Sequence, residues 1–180
     1  MLYMFFAEGF EEVEAIATLD VIRRGGIEIK SVGVGGKTVT GSHSISVICD
    51  LTTDDLVSFN GLEGVILPGG MPGTLNLFDC KKVHEAIDYC SENNGLLCAI
   101  CAAPLILGRK DLLFGKQAIC FPGFEDELTG AEISNDYVCI SDNIITAKGM
   151  GSAVNFGLAI VSYFKGKDFA DNLKSSLQCS

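Results

Sequence analysis

The chain has 180 residues, 48% of them hydrophobic and 20% charged, with a net charge of −10. This excludes a disordered chain, which would be poorer in apolar groups and richer in charge. It also excludes a collagen, because the 21 glycines follow no three-residue period. Thirteen Lys and Arg against 23 Asp and Glu leave no basic footprint for nucleic acid or an anionic membrane.

The length fits one domain over residues 1–180. The apolar run Leu2–Ala7 has no basic flank, and Glu8 ends it too early for a signal peptide or a membrane span. It reads as a buried first strand, and the cytoplasm is the expected location. A helix is predicted over Glu11–Arg24, with Glu11, Glu12 and Glu14 in its first turn and Gly25-Gly26 as its stop. Ile27–Val34 reads as a second strand, and Val39–Leu51 as β-structure around Gly41-Ser42. Gly64–Leu67 is a short buried strand ended by Pro68-Gly69-Gly70. Lys81–Asn93 is helical, Leu96–Ile100 is a strand apolar on both faces, and a helix follows over Ala102–Leu107. Lys116–Phe121, Tyr137–Ile140 and Asn143–Ala147 read as strands, and Ser152–Phe164 and Asp168–Leu177 as helices.

Alternating strands and helices predict an α/β sandwich, with a mostly parallel sheet covered on both faces. Function in such sheets sits at the carboxyl ends of the strands. The candidate turns therefore follow Ala7, Leu67, Ile100 and Ala147. Two glycine patterns mislead. Gly35-Gly36-Lys37-Thr38 lacks the first glycine of a P-loop, since Ser31 stands there. In Gly149-Met150-Gly151, the third glycine of a dinucleotide fingerprint is replaced by Val154. Both read as tight turns.

The eight cysteines read mostly as buried thiols. The only Cys-x-x-Cys is Cys98–Cys101 and the only histidines are His43 and His84, so no metal site and no cofactor are expected. Cys101 stands apart. The buried strand Leu96–Ile100 runs into a helix without room for a loop, and Pro104 suits a first helical turn. This pins Cys101 at a strand–turn–helix elbow, the placement of nucleophiles in α/β hydrolases. A helix start favours thiolate, and the Ala102 amide can donate to an anion formed there. Gly69 and Gly70, at the end of another strand, can approach closely because they lack a Cβ. A thioredoxin-like use of Cys98 is disfavoured, since strand alternation sends it to the opposite face unless the turn intervenes.

A cysteine nucleophile wants a base within reach. His43 and His84 are candidates, but lone histidines are mostly structural. A carboxyl from the first helix is the alternative, and periodicity does not choose among Glu11, Glu12 and Glu14. One of them, buried beside Cys101 and protonated, would be able to donate to the sulfur.

Four ordered stretches resemble the ThiJ/PfpI superfamily, most closely the branch of the Parkinson-disease-associated protein deglycase and its bacterial relatives. They are Glu8–Glu14, Leu67–Gly70, Ala99–Pro104 and Thr146–Ser152, and Gly41-Ser42-His43 looks like the bacterial members. The resemblance implies a flavodoxin-like three-layer sandwich, usually a homodimer with Cys49 at its interface. It implies a reactive, oxidation-prone Cys101, Glu14 as its protonated partner, and oxyanion-binding amides at Gly70 and Ala102, with Gly69 beside them. It also implies glutathione-independent glyoxalase or deglycase activity on 2-oxoaldehydes, and roles in oxidative stress.

Two departures bear on mechanism. Ala102 replaces the histidine that protease-like branches place after the cysteine, so proteolysis is not expected. Phe121 stands where some relatives carry a histidine. Acid–base work then falls to Glu14, with His43 a candidate to reach across a dimer interface. The favoured reading is a glyoxalase/deglycase-type enzyme acting on methylglyoxal-like aldehydes. Its rivals are a redox sensor or chaperone-like protein that oxidises Cys101 to sulfinate, and an amidase weakened by the missing histidine.

Overall fold

A computed structural model describes residues 1–179. Its central sheet has seven strands in the order β10-β11-β7-β6-β1-β2-β5. These are β1 (Leu2–Phe6), β2 (Ile29–Gly33), β5 (Leu51–Thr52), β6 (Gly64–Leu67), β7 (Leu96–Ile100), β10 (Val138–Ser141) and β11 (Ile144–Ala147). All neighbours are parallel except β10, which runs antiparallel to β11 along one edge. The remaining strands form two small ladders. One is the hairpin of β3 (Thr38–Thr40) and β4 (Ser46–Ile48), and the other pairs β8 (Gln117–Ala118) with β9 (Glu132–Ile133).

Strand alternation builds the layers. Leu2, Met4 and Phe6 face α1 (Glu12–Arg24) and α5 (Ala153–Lys165), and they pack with Ile22 and Phe156. Tyr3, Phe5 and Ala7 face the other way, toward α3 (Lys81–Glu92) and α4 (Pro104–Gly108), with Val83, Ile87 and Ile106. The short helix α2 (Gly73–Phe78) adds Leu77 to that side. The last helix, α6 (Lys167–Ser176), lies on α5 through Ala170 and Val161. The α1–α5 crossing is close, because a Cβ on Gly157 would stand 2.9 Å from the Cβ of Val21.

Most predicted elements are present, and the departures have local causes. Only Gln117–Ala118 of the segment Lys116–Phe121 forms a strand. Beyond it the Ile119 amide donates to the Thr146 hydroxyl at 2.9 Å, and the Phe121 amide to the Cys101 carbonyl at 2.8 Å. Those donors are therefore used on side chain and elbow instead of a ladder. Val39–Leu51 splits between the hairpin and the edge strand β5. The helix after β7 starts at Pro104, not Ala102, because Cys101–Ala103 form the turn. Helix α2 and strand β9 had no forecast; six and two residues are too short for a periodic pattern.

Candidate active site at the Cys101 elbow

Parallel registry brings four strand ends to one edge. Leu67 pairs with Ala99, and Ile100 with Ala147. The loop after β1 meets the loop after β6, where the Glu11 amide donates to the Gly69 carbonyl at 2.9 Å. The four candidate turns thus share one crevice.

Cys101 sits there with φ +65°, a left-handed backbone in a non-glycine residue. Such a conformation costs on the order of 1–3 kcal/mol and persists only where its surroundings fix it. Here the Cys101 amide donates to the Ala147 carbonyl at 2.9 Å and its carbonyl accepts from Phe121. The turn also reverses the strand alternation: Cys98 and Cys101 both lie on the α1/α5 side. Cys98 is sealed in β7, and burial holds its thiol well above the usual range.

The three glutamates at the start of α1, Glu11 as its cap and Glu12 and Glu14 in its first turn, have three different jobs. Glu11 caps the helix, accepting from the Glu14 amide at 2.6 Å. Glu12 clamps the β3–β4 loop, accepting from the His43 amide at 2.6 Å, from His43 Nδ1 at 3.0 Å and from the Ser42 hydroxyl at 3.3 Å. Burial would raise the Glu12 carboxyl, but the His43 and Ile45 donors outweigh it and hold it near about 2. The His43 ring is raised in turn by Glu12, which it meets through Nδ1. Among the described residues Glu11, Glu12 and His43 are the one cluster with metal-ligand spacing, and the Glu12 oxygens in it already accept those protein donors. His84 lies elsewhere, with Nε2 against the Phe78 carbonyl at 2.5 Å, where it ties α3 to the end of α2.

Glu14 alone faces the sulfur. It is 1% exposed, and its Oε2 accepts from the Gly69 amide at 3.0 Å. Burial pushes its carboxyl up to about 7, further raised by Glu11 and partly offset by Cys101 and by the Gly69 and Met150 amides. Burial pushes the Cys101 thiol up to about 12, helped by the charge of Glu14, while the Gly70 and Ala102 amides draw it down. A short helix that begins three residues on does not overcome that burial, so the thiol form is favoured over the thiolate expected from the helix start.

The resemblance sets Gly69 beside the oxyanion amides, whereas its N–H donates to Glu14 Oε2. Its lack of a side chain is obligatory: a Cβ would stand 2.5 Å from the Cys101 Cβ and 2.6 Å from Glu14 Oε2. Gly70 has φ +90° and lies against the backbone of Gly9–Glu11. Cys49, expected at an interface, is already buried inside the chain, where burial raises its thiol. Met150 reads in the sequence only as part of a tight turn, yet its amide bears on Glu14. Its place on the same strand-end edge was the available signal.

The model of the DJ-1/PfpI family matches residues 1–163. The chain belongs to that family. DJ-1 homologs A and B of Arabidopsis thaliana are 33% and 32% identical over 95% of this chain, which spans only 44% and 40% of their length. The Parkinson disease protein 7 homolog of Danio rerio is 31% identical over 97% of this chain and 94% of its own. The glutathione-independent glyoxalase DJR-1.2 of Caenorhabditis elegans is 32% identical over 94% and 91%. Among solved structures, oxidised Toxoplasma gondii DJ-1 superposes with a TM-score of 0.94 at 27% identity, covering 99% of this chain and 98% of that one. This DJ-1/PfpI chain therefore carries the DJ-1 fold, a flavodoxin-like α/β sandwich. Among the described residues no helix is long and apolar enough to cross a membrane.

Proposed function

We propose that this DJ-1/PfpI chain is a cysteine-dependent glyoxalase of the deglycase type. It converts small 2-oxoaldehydes to 2-hydroxy acids without glutathione and protects against carbonyl and oxidative stress. The observation that carries the reading is the sealed Glu14 carboxyl beside Cys101: a Cβ on Gly69 would meet the Cys101 Cβ at 2.5 Å and Glu14 Oε2 at 2.6 Å, and burial raises the carboxyl to about 7. A group half ionised near neutral pH both takes and returns a proton.

The chemistry balances on these residues. Cys101 is a thiol at neutral pH, so its proton passes to Glu14 as sulfur bonds to the aldehyde carbon. The resulting oxyanion lies where the Gly70 and Ala102 amides donate, and Glu14 returns the proton to give a hemithioacetal. Glu14 then removes the C–H proton of that carbon, forming an enediol, and delivers a proton to the neighbouring carbon. This leaves a thioester of the 2-hydroxy acid. Water cleaves the thioester, the C–S bond breaks, and the thiol is restored. One water is consumed and nothing is oxidised overall. The exclusive use of Glu14 follows from Phe121, which carries no proton. General acid–base groups contribute about 10²–10⁴-fold each, so the enzyme is slow.

A second reading is a redox sensor that stores Cys101 as sulfinate. It is favoured by the match to an oxidised DJ-1 and by the surroundings of the sulfur, where the Gly70 and Ala102 amides, and Glu14 once protonated, would donate to a sulfinate. Lactate production from methylglyoxal separates the two. Formation that Cys101→Ser abolishes supports the enzyme. Absence of lactate, with peroxide giving sulfinate at Cys101 that Glu14→Leu diminishes, supports the sensor.

A further inference from the structure

Beside the elbow lies a cleft of about 370 Å³ lined by Phe121, Pro122, Tyr137, Met150 and the Lys148–Gly149 turn. Its apolar walls are open to solvent: Phe121 is 48% exposed, Met150 55% and Tyr137 69%. Contiguous exposed apolar side chains that line a cleft are a candidate ligand surface. The Lys148 ammonium lies 5.6 Å from the centre of the Tyr137 ring, which keeps the cation at the rim.

The cleft adjoins the reacting groups across the Gly149 backbone. Gly149 stands between them: a Cβ there would lie 3.3 Å from the Phe121 ring and 3.9 Å from Glu14 Oε1. Phe121 is also tied to the elbow, its amide donating to the Cys101 carbonyl at 2.8 Å. The methyl group of methylglyoxal fills little of such a space. A flat ring laid between Phe121 and Met150 removes more apolar surface from water while the aldehyde carbon remains at Cys101.

Building on the glyoxalase reading, we propose that this cleft is a specificity subsite for 2-oxoaldehydes bearing an aromatic or bulky apolar group, with Phe121 and Met150 as the determinants. Phenylglyoxal is the simplest probe. Its conversion to mandelate uses the same steps as conversion of methylglyoxal to lactate, with one water consumed.

The test compares kcat/KM for the two aldehydes by direct measurement of mandelate and lactate. The ratio is expected to favour phenylglyoxal by about tenfold or more, in line with the discrimination that apolar pockets achieve. It should fall toward one in Phe121→Ala and in Met150→Ala. A binding measurement runs beside it: the concentration of mandelate or of lactate that halves the rate of Cys101 alkylation by iodoacetamide. Mandelate should act at about tenfold lower concentration than lactate, and Phe121→Ala should remove that advantage. Turnover without a preference for phenylglyoxal, or a preference untouched by both substitutions, overturns the subsite. If neither aldehyde is turned over, the glyoxalase reading fails and the alkylation measurement alone decides the subsite. Equal protection by the two acids then overturns it.

Discussion

Glu14 and Cys101 oppose one another electrostatically, and this gives residue-scale expectations that run in opposite directions. Glu14 raises the thiol both by its charge and by its hydrogen bond. Removing the charge in Glu14→Gln should therefore lower the thiol and speed Cys101 alkylation above pH 7 by about tenfold, equivalent to one pKa unit. The same substitution should abolish 2-hydroxy acid formation. Alkylation followed by peptide mapping and a lactate assay read the two effects; a parallel loss of both would reduce Glu14 to a structural prop. Stability gives a second handle. The Glu14 carboxyl sits at about 7 when folded against an ordinary 4.5. Between those values the native state holds a proton that the unfolded chain has released, so wild-type stability falls as pH rises through that window and levels off above it. Glu14→Gln lacks this loss. Urea unfolding should show the variant gaining on wild type between pH 5 and pH 8, by up to about 3 kcal/mol.

At the scale of elements, the Glu12 clamp holds the β3–β4 loop against the start of α1, two residues before Glu14. Its carboxyl near about 2 stabilises the fold at and above pH 4.5, and that contribution is lost as pH falls through the folded value. Glu12→Gln turns one accepting oxygen into a donor facing other donors. It should cost about 1–3 kcal/mol at pH 7, with the gap to wild type narrowing toward pH 3 in thermal unfolding. The strands and long helices were legible because buried parallel strands are apolar runs and α1, α3 and α5 carry stop signals such as Gly25-Gly26 and Asn94-Gly95. The elbow was legible from Leu96–Pro104 because no loop fits there. Composition did not sort Glu11, Glu12 and Glu14. The buried face of α1 runs through Glu14, Ala15, Thr18, Val21 and Ile22, and its polar and small members blur the apolar stripe. Nor did sequence show that the Gly69 amide turns to Glu14 or that Met150 joins it. Those contacts span the loops after β6 and β11, and only the sheet registry brings the loops together.

For the whole molecule, one exposed apolar patch lies where the β3–β4 hairpin meets α1. Ile48 is 78% exposed on β4 and shares a cleft with Ile16 of α1. With a net charge of −10 on each copy, association needs such a patch to outweigh repulsion. Light scattering should find a homodimer at micromolar concentration, and Ile48→Lys should shift it toward monomer; a wild-type monomer would contradict this. The most direct measurement follows lactate by NMR after methylglyoxal is added to the wild-type protein and to Cys101→Ser, with no glutathione present. Following the acid itself avoids counting aldehyde trapped by the other seven thiols. Lactate should accumulate over many turnovers with the wild-type protein and not with Cys101→Ser. Equal lactate from both proteins, or none from either, would contradict a cysteine-dependent glyoxalase.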